Sequence, residues 1–460
     1  MVQEDLVTLQ RTATILTRFR GDSLRNRFVM GAFWSLAGAA VSRGVTMAAA
    51  VVVGRALGAT GFGELGMIQS TQGLFGVFAG AGLGLAATKH VAEYRTRDWP
   101  KAGRCMVLCT RIAVVSGLAA AVVLFVLSGW LASSVLHAPH LVVELRVATG
   151  LVLLGAINGV QTGAIAGLEN FRTIAGISVI RAGFLFAATV AGVLLAGLMG
   201  AVVGLVSAEA VAVVSNHLAL RRLHPRPSSR REGAGDLNWR EFTGVWRFSL
   251  LALLSSLSTM PALWFTNLVL VSQANGYAAL GVFNAAERWR QVLLFLPASL
   301  SPIILSLLSN LHGTDDTGSY RRVVGMNLWL TAATVLLPAA ALALLCRPAM
   351  ALFGADYEGG WSTLSILAAS AVAVVLNNLL GQVLISKAAI WCRFLLDVLL
   401  AALLALVSWW LIPVWRENGL ALGHLVAYSA AALALLIPAR YYLRRPVVAR
   451  ATVSDDGRGS

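Results

Sequence analysis

Charged residues are scarce in this chain. Asp, Glu, Lys and Arg make up 12% of the 460 residues, whereas hydrophobic residues make up 58%, and the mean hydropathy is +0.76. A soluble protein of this length needs far more polar surface, so the composition predicts a polytopic membrane protein. Membrane strands appear as alternating segments of about ten residues, whereas the apolar blocks here reach about 20 residues and more. The spans are therefore predicted to be helical and the fold all-α.

Motifs for catalysis and cofactor binding are also missing. The sequence has no Gly-x-x-x-x-Gly-Lys-Ser/Thr loop, no Cys/His cluster with metal-ligand spacing and no Gly-x-Ser-x-Gly elbow. Its four cysteines lie in apolar segments and imply no disulfide framework. We therefore expect no ATP hydrolysis, no metal site, no cofactor and no enzyme activity.

Basic residues outnumber acidic ones, giving a net charge of +15. The great majority of Lys and Arg fall in alternate loops, and the loops on the opposite side contain only Arg55, Arg347 and Arg416. This distribution is the positive-inside bias. It predicts that the basic loops and both termini are cytoplasmic, and it argues against nucleic acid as a partner.

Apolar length predicts about twelve helices in two sets of six. The longest hydrophilic break, between Arg221 and Arg247, is rich in Pro, Gly and charge and is predicted to join two lobes. The predicted spans are 29–54, 64–87, 105–130, 144–168, 173–197, 199–220, 246–271, 278–306, 323–346, 361–386, 389–413 and 419–440. The predicted regions are a basic amphipathic segment (1–27), an N-lobe (28–220), a cytoplasmic linker (221–245), a C-lobe (246–442) and a disordered cytoplasmic tail (443–460).

The two halves contain similar segments. Gly61-Phe62-Gly63-Glu64-Leu65-Gly66-Met67-Ile68-Gln69-Ser70 matches Gly276-Tyr277-Ala278-Ala279-Leu280-Gly281-Val282-Phe283-Asn284-Ala285 at a constant offset. Each segment enters a helix that runs from the outside inward, and an even number of helices per half makes the repeat parallel. The prediction is two lobes that face each other across a central cavity.

Arg43 lies in the middle of the first span. A charge at that depth normally faces a partner or a wet cavity. Its neighbours Gly38, Ala39, Ala40 and Ser42 are small enough to let a substrate or another helix approach. One hypothesis is that the guanidinium binds a phosphate in bidentate fashion. The other is an internal ion pair, for instance with Glu209.

Two further groups of charges lie within predicted spans. Arg181 and Glu209, in the fifth and sixth spans, form either a structural ion pair or a site at which Glu209 couples transport to a proton. Glu287, Arg288 and Arg290, in the eighth span, provide either a second anion contact or a set of charges that locks the lobes in one state. Glu287 is a second candidate for ion coupling.

Amide side chains form polar stripes along several spans. They either bind sugar hydroxyls in a cavity or hold neighbouring helices together, and for any single residue helix packing is the more common role. The candidate substrate contacts of this kind are Gln69, Gln72, Asn158, Gln161 and Asn284.

Three motifs resemble a known family. Phe28-Val29-Met30-Gly31-Ala32-Phe33-Trp34-Ser35, Gly54-Arg55-Ala56-Leu57-Gly58-Ala59-Thr60-Gly61-Phe62-Gly63 and Gly163-Ala164-Ile165-Ala166-Gly167-Leu168-Glu169-Asn170-Phe171 resemble segments of bacterial polysaccharide repeat-unit flippases. These flippases belong to the multidrug/oligosaccharidyl-lipid/polysaccharide (MOP) exporter superfamily, which includes the MATE transporters. The lipid II flippase branch is similar but usually has two further helices, which are not found here.

The resemblance implies a flippase in the bacterial inner membrane that moves undecaprenyl-diphosphate-linked oligosaccharides to the outer leaflet by alternating access, coupled to H⁺ or Na⁺. Membrane lipids, polysaccharide polymerase and glycosyltransferases are the implied partners. Arg43, Arg181, Arg288 and Arg290 are then the candidate diphosphate contacts. The rival hypotheses are an ion-coupled exporter of cationic drugs or metabolites, which should have an acidic cavity, and a membrane glycan transferase or ligase.

Overall fold

The structure is a computed structural model that describes residues 22–80, 82–96, 98–223, 257–312, 317–386 and 390–444. These residues are almost entirely helical, and no β-strand occurs among them. Short π and 3₁₀ helices lie at Leu131–Val135, Pro139–Leu141 and Ala355–Gly360. The α-helices are α1 (Asp22–Gly80), α2 (Leu83–Tyr94), α3 (Trp99–Trp130), α4 (Val142–Gly167), α5 (Phe171–Leu223), α6 (Leu257–Val271), α7 (Gly276–His312), α8 (Thr317–Leu344), α9 (Cys346–Ala351), α10 (Trp361–Ser386) and α11 (Ile390–Arg444).

Three of these helices are too long to cross a membrane once. Helix α1 has 59 residues, which would extend about 88 Å, whereas the hydrocarbon core is about 30 Å thick. It is broken at Gly58, whose φ of 67° lies in the left-handed region that glycine tolerates. Helix α5 breaks at Gly197 and α11 at Arg416 in the same way. Each of the three is therefore a pair of spans joined by a tight reversal.

Counting each pair separately gives twelve long helical segments among the described residues, which agrees with the predicted number of spans. The described segments are 22–57, 59–80, α3, α4, 171–195, 198–223, α6, α7, α8, α10, 390–415 and 417–444. The all-α polytopic fold is confirmed. Residues 1–21 of the predicted amphipathic segment, the linker beyond residue 223 and the tail beyond residue 444 lie outside the described residues, so the predicted domain boundaries stay predictions.

Helices α1 to α5 pack together as an N-lobe, and α7 to α11 pack as a C-lobe. Helix α6 joins the C-lobe through Leu263 and Phe265, which pack against α11. The lobes meet in a hydrophobic cluster to which both contribute, including the aromatic side chains of Phe62, Phe353 and Tyr357. Hydrogen bonds join the lobes beside this cluster. Tyr357 Oη donates to the carbonyl of Gly54 (3.0 Å), Tyr277 Oη to that of Leu136 (2.9 Å), and Arg55 Nε to that of Leu352 (2.6 Å). We call this side of the molecule the closed end.

The two similar segments found in the sequence lie against each other at this interface. A Cβ on Gly63 would lie 1.8 Å from the Tyr277 carbonyl oxygen, and one on Gly281 would lie 1.9 Å from that of Ala59. These glycines therefore let α1 and α7 cross at backbone contact. The crossing joins corresponding parts of the two lobes.

The opposite side carries the predicted cytoplasmic loops, and we call it the basic end. Helix α3 runs from Trp99 at this end to Trp130 at the closed end. Nearby, an ion pair between Arg95 and Glu169 (2.5 Å) joins the loops that follow α2 and α4.

Candidate functional site

A cavity of about 480 Å³ lies at the lobe interface, beneath the hydrophobic cluster of the closed end. Its walls are apolar toward that cluster and polar further in, where most of the predicted site residues of the N-lobe face it. Arg288 of α7 lines it from the C-lobe. The described lining residues are Thr46, Ala49, Ala50, Val53, Phe62, Leu65, Gln69, Gln72, Leu151, Gly155, Arg181, Leu185, Thr189, Leu205, Glu209 and Arg288.

Arg181 and Glu209 form the ion pair that the sequence allowed. Arg181 Nη2 and Nε lie 2.8 and 2.9 Å from Glu209 Oε2. The other carboxylate oxygen accepts a hydrogen bond from Asn158 Nδ2 (2.6 Å), and Asn158 in turn accepts one from Asn216 (2.7 Å). Both oxygens of Glu209 are therefore satisfied within the N-lobe, and the carboxylate neutralises the charge of Arg181.

The Arg181 side chain is nevertheless 44% exposed, while that of Glu209 is 10% exposed. A guanidinium group has five N–H donors in a planar fork. The pair uses the Nε and Nη2 groups, so Arg181, which lines the cavity, has further donors that Glu209 does not occupy. Arg181 can bind an anion there without leaving Glu209.

Arg288 binds a neutral partner. Its Nη2 donates to Gln69 Oε1 across the lobe interface (3.0 Å). The neighbouring carboxylate of Glu287 is paired with Arg290 instead, and Arg288 has no ion pair among the described residues. The cavity therefore contains an uncompensated positive charge at its C-lobe wall.

Arg43 provides a second uncompensated charge near the cavity. It is not itself among the lining residues, but it precedes the lining residue Thr46 by about one turn of α1. Its side chain is exposed, its charge repels that of Arg288, and within the described part of the chain it forms no ion pair. The proposed internal pair with Glu209 is not formed in this structure, because Glu209 binds Arg181.

Several predicted site residues lie elsewhere. Arg290 is buried inside the C-lobe, where it donates to Glu287 Oε2 (2.7 Å) and Ser370 Oγ (3.2 Å). Asn284 packs against Gly66 at the lobe interface. Gln161 is 4% exposed and lies within the N-lobe. The roles predicted for these residues are not tested by their positions, but none of them contacts this cavity in this conformation.

Sequence reasoning did not single out Thr46, Thr189 or Asn216. Thr46 and Thr189 line the cavity, while Asn216 supports Asn158 from behind. A threonine in an apolar helix carries little signal, because its hydroxyl can bond to its own backbone, as Thr46 does to Ser42 (2.8 Å). Asn216 had a usable signal, since an amide within a span needs a partner.

No group of three or more His, Cys, Asp and Glu side chains arranged to hold a metal ion occurs in the described ranges. The identity of a coupling ion therefore stays a prediction.

Comparison with solved structures shows which known fold the chain has. The chain resembles the inward-facing conformation of a multidrug resistance MATE family transporter of the MOP superfamily (TM-score 0.76, 16% identity, 88% of this chain and 98% of that chain). It also resembles the outward-facing conformation of such a transporter (0.69, 16%, 90% and 95%). A third match is a MOP superfamily transporter from Pyrococcus furiosus with a binding pocket of reversed polarity (0.69, 16%, 90% and 95%). The fold is thus that of a multi-pass MATE-type membrane transporter.

The family follows from the sequence comparison. The model of the family described as polysaccharide biosynthesis protein matches residues 28–308, which is more than half of the chain. The chain therefore belongs to the polysaccharide biosynthesis protein family. Comparison with curated proteins found no match.

Proposed function

We propose that this protein is a flippase that moves diphosphate-linked oligosaccharides across a bacterial inner membrane. The observation that carries the proposal is the pair of uncompensated arginines, Arg43 and Arg288, at a cavity between the two lobes of a transporter fold. Positive charge at mid-membrane depth is costly unless a mobile or bound anion compensates it. A cargo that brings its own negative charge provides that compensation.

The charge of the cavity suits a diphosphate. The Arg181–Glu209 pair is neutral overall, so Arg43 and Arg288 account for two positive charges. A diphosphate that links a lipid to a sugar carries two negative charges at neutral pH. Arginine forks bind phosphate oxygens in bidentate fashion, which adds orientation to charge. Arg181 is the proposed third contact, through the donors that Glu209 leaves free.

The remaining polar lining suits sugar hydroxyls. Gln72, Thr46 and Thr189 present amide and hydroxyl groups to the cavity. The apolar polyprenyl tail needs no polar cavity, because it can stay in the lipid while the head group passes between the lobes. A cavity that is polar in one part and apolar toward the closed end fits this division of the cargo.

We infer that the described conformation is inward-facing, with the basic end and both termini in the cytoplasm. Three observations support this inference: the packing of the lobes at the closed end, the predicted cytoplasmic loops at the opposite end, and a larger TM-score to the inward-facing transporter than to the outward-facing one. Glu209 and Glu287 are the proposed coupling carboxylates, with H⁺ or Na⁺ as the ion. Polysaccharide polymerase and glycosyltransferases are the proposed partners.

The proposal is tested with a deletion strain. Lipid-linked repeat units are expected to accumulate on the cytoplasmic leaflet and surface polysaccharide to disappear, and the wild-type gene is expected to restore both. Normal surface polysaccharide in the deletion strain, with no functional paralogue present, would contradict the proposed cargo.

The fold also supports a second candidate, an exporter of drugs, because two of the structurally similar proteins are described as multidrug resistance transporters. A cavity for cationic drugs needs excess negative charge, whereas the described cavity contains one acid, Glu209, that is already paired with Arg181. Drug-susceptibility profiling of the same deletion strain separates the two functions. Hypersensitivity to cationic drugs with unchanged polysaccharide would favour the exporter.

A further inference from the structure

Three consecutive residues of α1 accept hydrogen bonds from three different residues of the C-lobe. The acceptors are Gln69, Ser70 and Thr71. Their donors are Arg288 Nη2 (3.0 Å), Asn267 Nδ2 (3.0 Å) and Trp264 Nε1 (3.1 Å), respectively. We call this row the seam. Gln69 lies eleven residues beyond Gly58, which places the seam about 17 Å from the closed end and so near the membrane midplane.

Only one of the three seam bonds lies in the wall of the described cavity. Gln69 and Arg288 both line the cavity, whereas the other four seam residues are not among its lining. Thr71 is fully buried. The bond in the cavity wall is also the only one of the three with a charged donor. A bound anion can therefore compete with it and with neither of its neighbours.

We propose that the Arg288–Gln69 hydrogen bond is an inter-lobe contact that the diphosphate of the cargo breaks, so that cargo binding itself favours separation of the lobes at the closed end. This inference rests on the proposed function and adds a coupling mechanism to it. The amide oxygen of Gln69 is a neutral acceptor, and a phosphate oxygen is charged. The Arg288 donor is charged in both bonds, but only the phosphate adds an opposite charge and can accept two parallel N–H bonds from the guanidinium, so the phosphate takes Arg288 from Gln69.

The coupling follows from differential binding. A ligand shifts a conformational equilibrium only by as much as its affinity differs between the two states. While the lobes are closed, the diphosphate must first displace Gln69. Once the lobes have separated, Arg288 no longer faces Gln69 and binds the diphosphate without that competition. The cargo thus binds the separated state more tightly and shifts the population toward it.

The test uses two substitutions in neighbouring seam residues. Gln69→Leu removes the acceptor in the cavity wall at similar volume, and Ser70→Ala removes the adjacent bond outside the cavity. Spin labels on Thr60→Cys and Glu358→Cys, exposed positions of the two lobes at the closed end, report lobe separation in full-length protein whose native cysteines are changed to alanine. Binding and label distance are measured in lipid nanodiscs with farnesyl diphosphate as the probe.

We expect farnesyl diphosphate to lengthen the label distance in the protein with wild-type Gln69 and Ser70. Gln69→Leu is expected to bind the probe about tenfold more tightly, because the competing bond is absent, and to lose the ligand-induced change in distance. Ser70→Ala is expected to shift the ligand-free protein toward the separated state to a similar extent, to gain affinity only in proportion to that shift, and to keep the ligand-induced change in distance.

The outcomes separate the inference from the function on which it rests. If the wild-type protein binds the probe and Gln69→Leu keeps both its affinity and the ligand-induced change, the coupling role of this bond is wrong while the diphosphate site stands. If Ser70→Ala behaves like Gln69→Leu, the effect belongs to general loosening of the seam and the inference also fails. If the wild-type protein does not bind the probe, the diphosphate site is wrong, and the coupling mechanism fails with it.

Discussion

At the scale of single residues, what matters is which charges inside the membrane are compensated within the protein. Arg181 and Arg290 each bind a carboxylate, whereas Arg288 binds an amide and Arg43 is exposed near the cavity. A compensated arginine contributes to the stability of its lobe. An uncompensated one is available to a substrate, and this difference determines the predictions for the two kinds of residue.

Arg43→Ala is expected to reduce surface polysaccharide by about tenfold or more at normal protein level, because a charge-assisted hydrogen bond contributes about 1.5–3 kcal/mol. Arg43→Lys is expected to retain part of the activity, since it keeps the charge but loses the bidentate fork. Quantitative measurement of surface polysaccharide in the complemented deletion strain checks this.

Arg111 is the matched control for Arg43. It is also an exposed arginine within a span, on α3, but it does not line the described cavity. Arg111→Ala is expected to retain export. Equal loss in both alanine variants would show that the effect of Arg43 is not specific to the cavity.

Arg181→Gln is expected to destabilise the N-lobe by about 1–3 kcal/mol, since it leaves the nearly buried Glu209 carboxylate without its cation. The double variant Arg181→Gln/Glu209→Gln is expected to recover part of that loss, because no uncompensated charge is left. Thermal unfolding of the purified variants in detergent checks this. A double variant less stable than both single variants would contradict a stabilising pair.

At the scale of elements, the contact between α1 and α7 determines how closely the lobes approach each other. The helices cross at Gly63 and Gly281, where an added Cβ would lie within 2 Å of a facing carbonyl oxygen. The two glycines belong to the two similar segments of the repeat, which are therefore the segments that pack across the interface. Even a methyl group at this crossing requires the helices to move apart.

Gly63→Ala and Gly281→Ala are each expected to increase the separation of the lobes at the closed end in the absence of ligand. The spin-label pair described above measures this as a longer mean distance. Gly73→Ala, further along α1, provides the control, because a Cβ at Gly73 would have no atom within 4 Å. An unchanged distance in both crossing variants would contradict the role assigned to the crossing.

At the scale of the whole molecule, the described conformation depends on contacts at one end of the interface. Both lobes contribute to the hydrophobic cluster there, and two tyrosine hydroxyls donate to carbonyls of the other lobe. The alternating access that we propose requires these contacts to break as a group while each lobe stays intact. Their combined strength therefore sets the population of the closed state.

Tyr277→Phe and Tyr357→Phe each remove one inter-lobe hydrogen bond and leave the ring in place. Each is expected to shift the equilibrium toward the separated state by about 1 kcal/mol, or about fivefold. With the spin-label pair described above, the closed and separated states give a short and a long distance, and the ratio of their populations measures the shift. Ser362→Ala is the control, since it removes a hydrogen bond to Asn418 within the C-lobe, and it is expected to leave the ratio unchanged.

Much of the fold could be predicted from the sequence, because the length and apolarity of a span are local properties. The predicted break near Gly58 and the reversal between the fifth and sixth spans are both observed. The candidate site was predicted less completely. Gln69, Gln72, Arg181, Glu209 and Arg288 line the cavity, but the sequence also favoured Arg290 and Asn284, which pack elsewhere.

By itself, then, the sequence determined that the chain is a bundle of twelve helical spans with arginines placed deep within them, because these properties depend only on the order of apolar and charged residues. Only the tertiary structure decided which arginines are compensated. Arg288 and Arg290 are two positions apart on α7 and so point about 200° apart around its axis, one into the cavity and the other into the C-lobe. The rotation of α7 about its axis follows from packing against α1 and α10, and no short stretch of sequence contains that information.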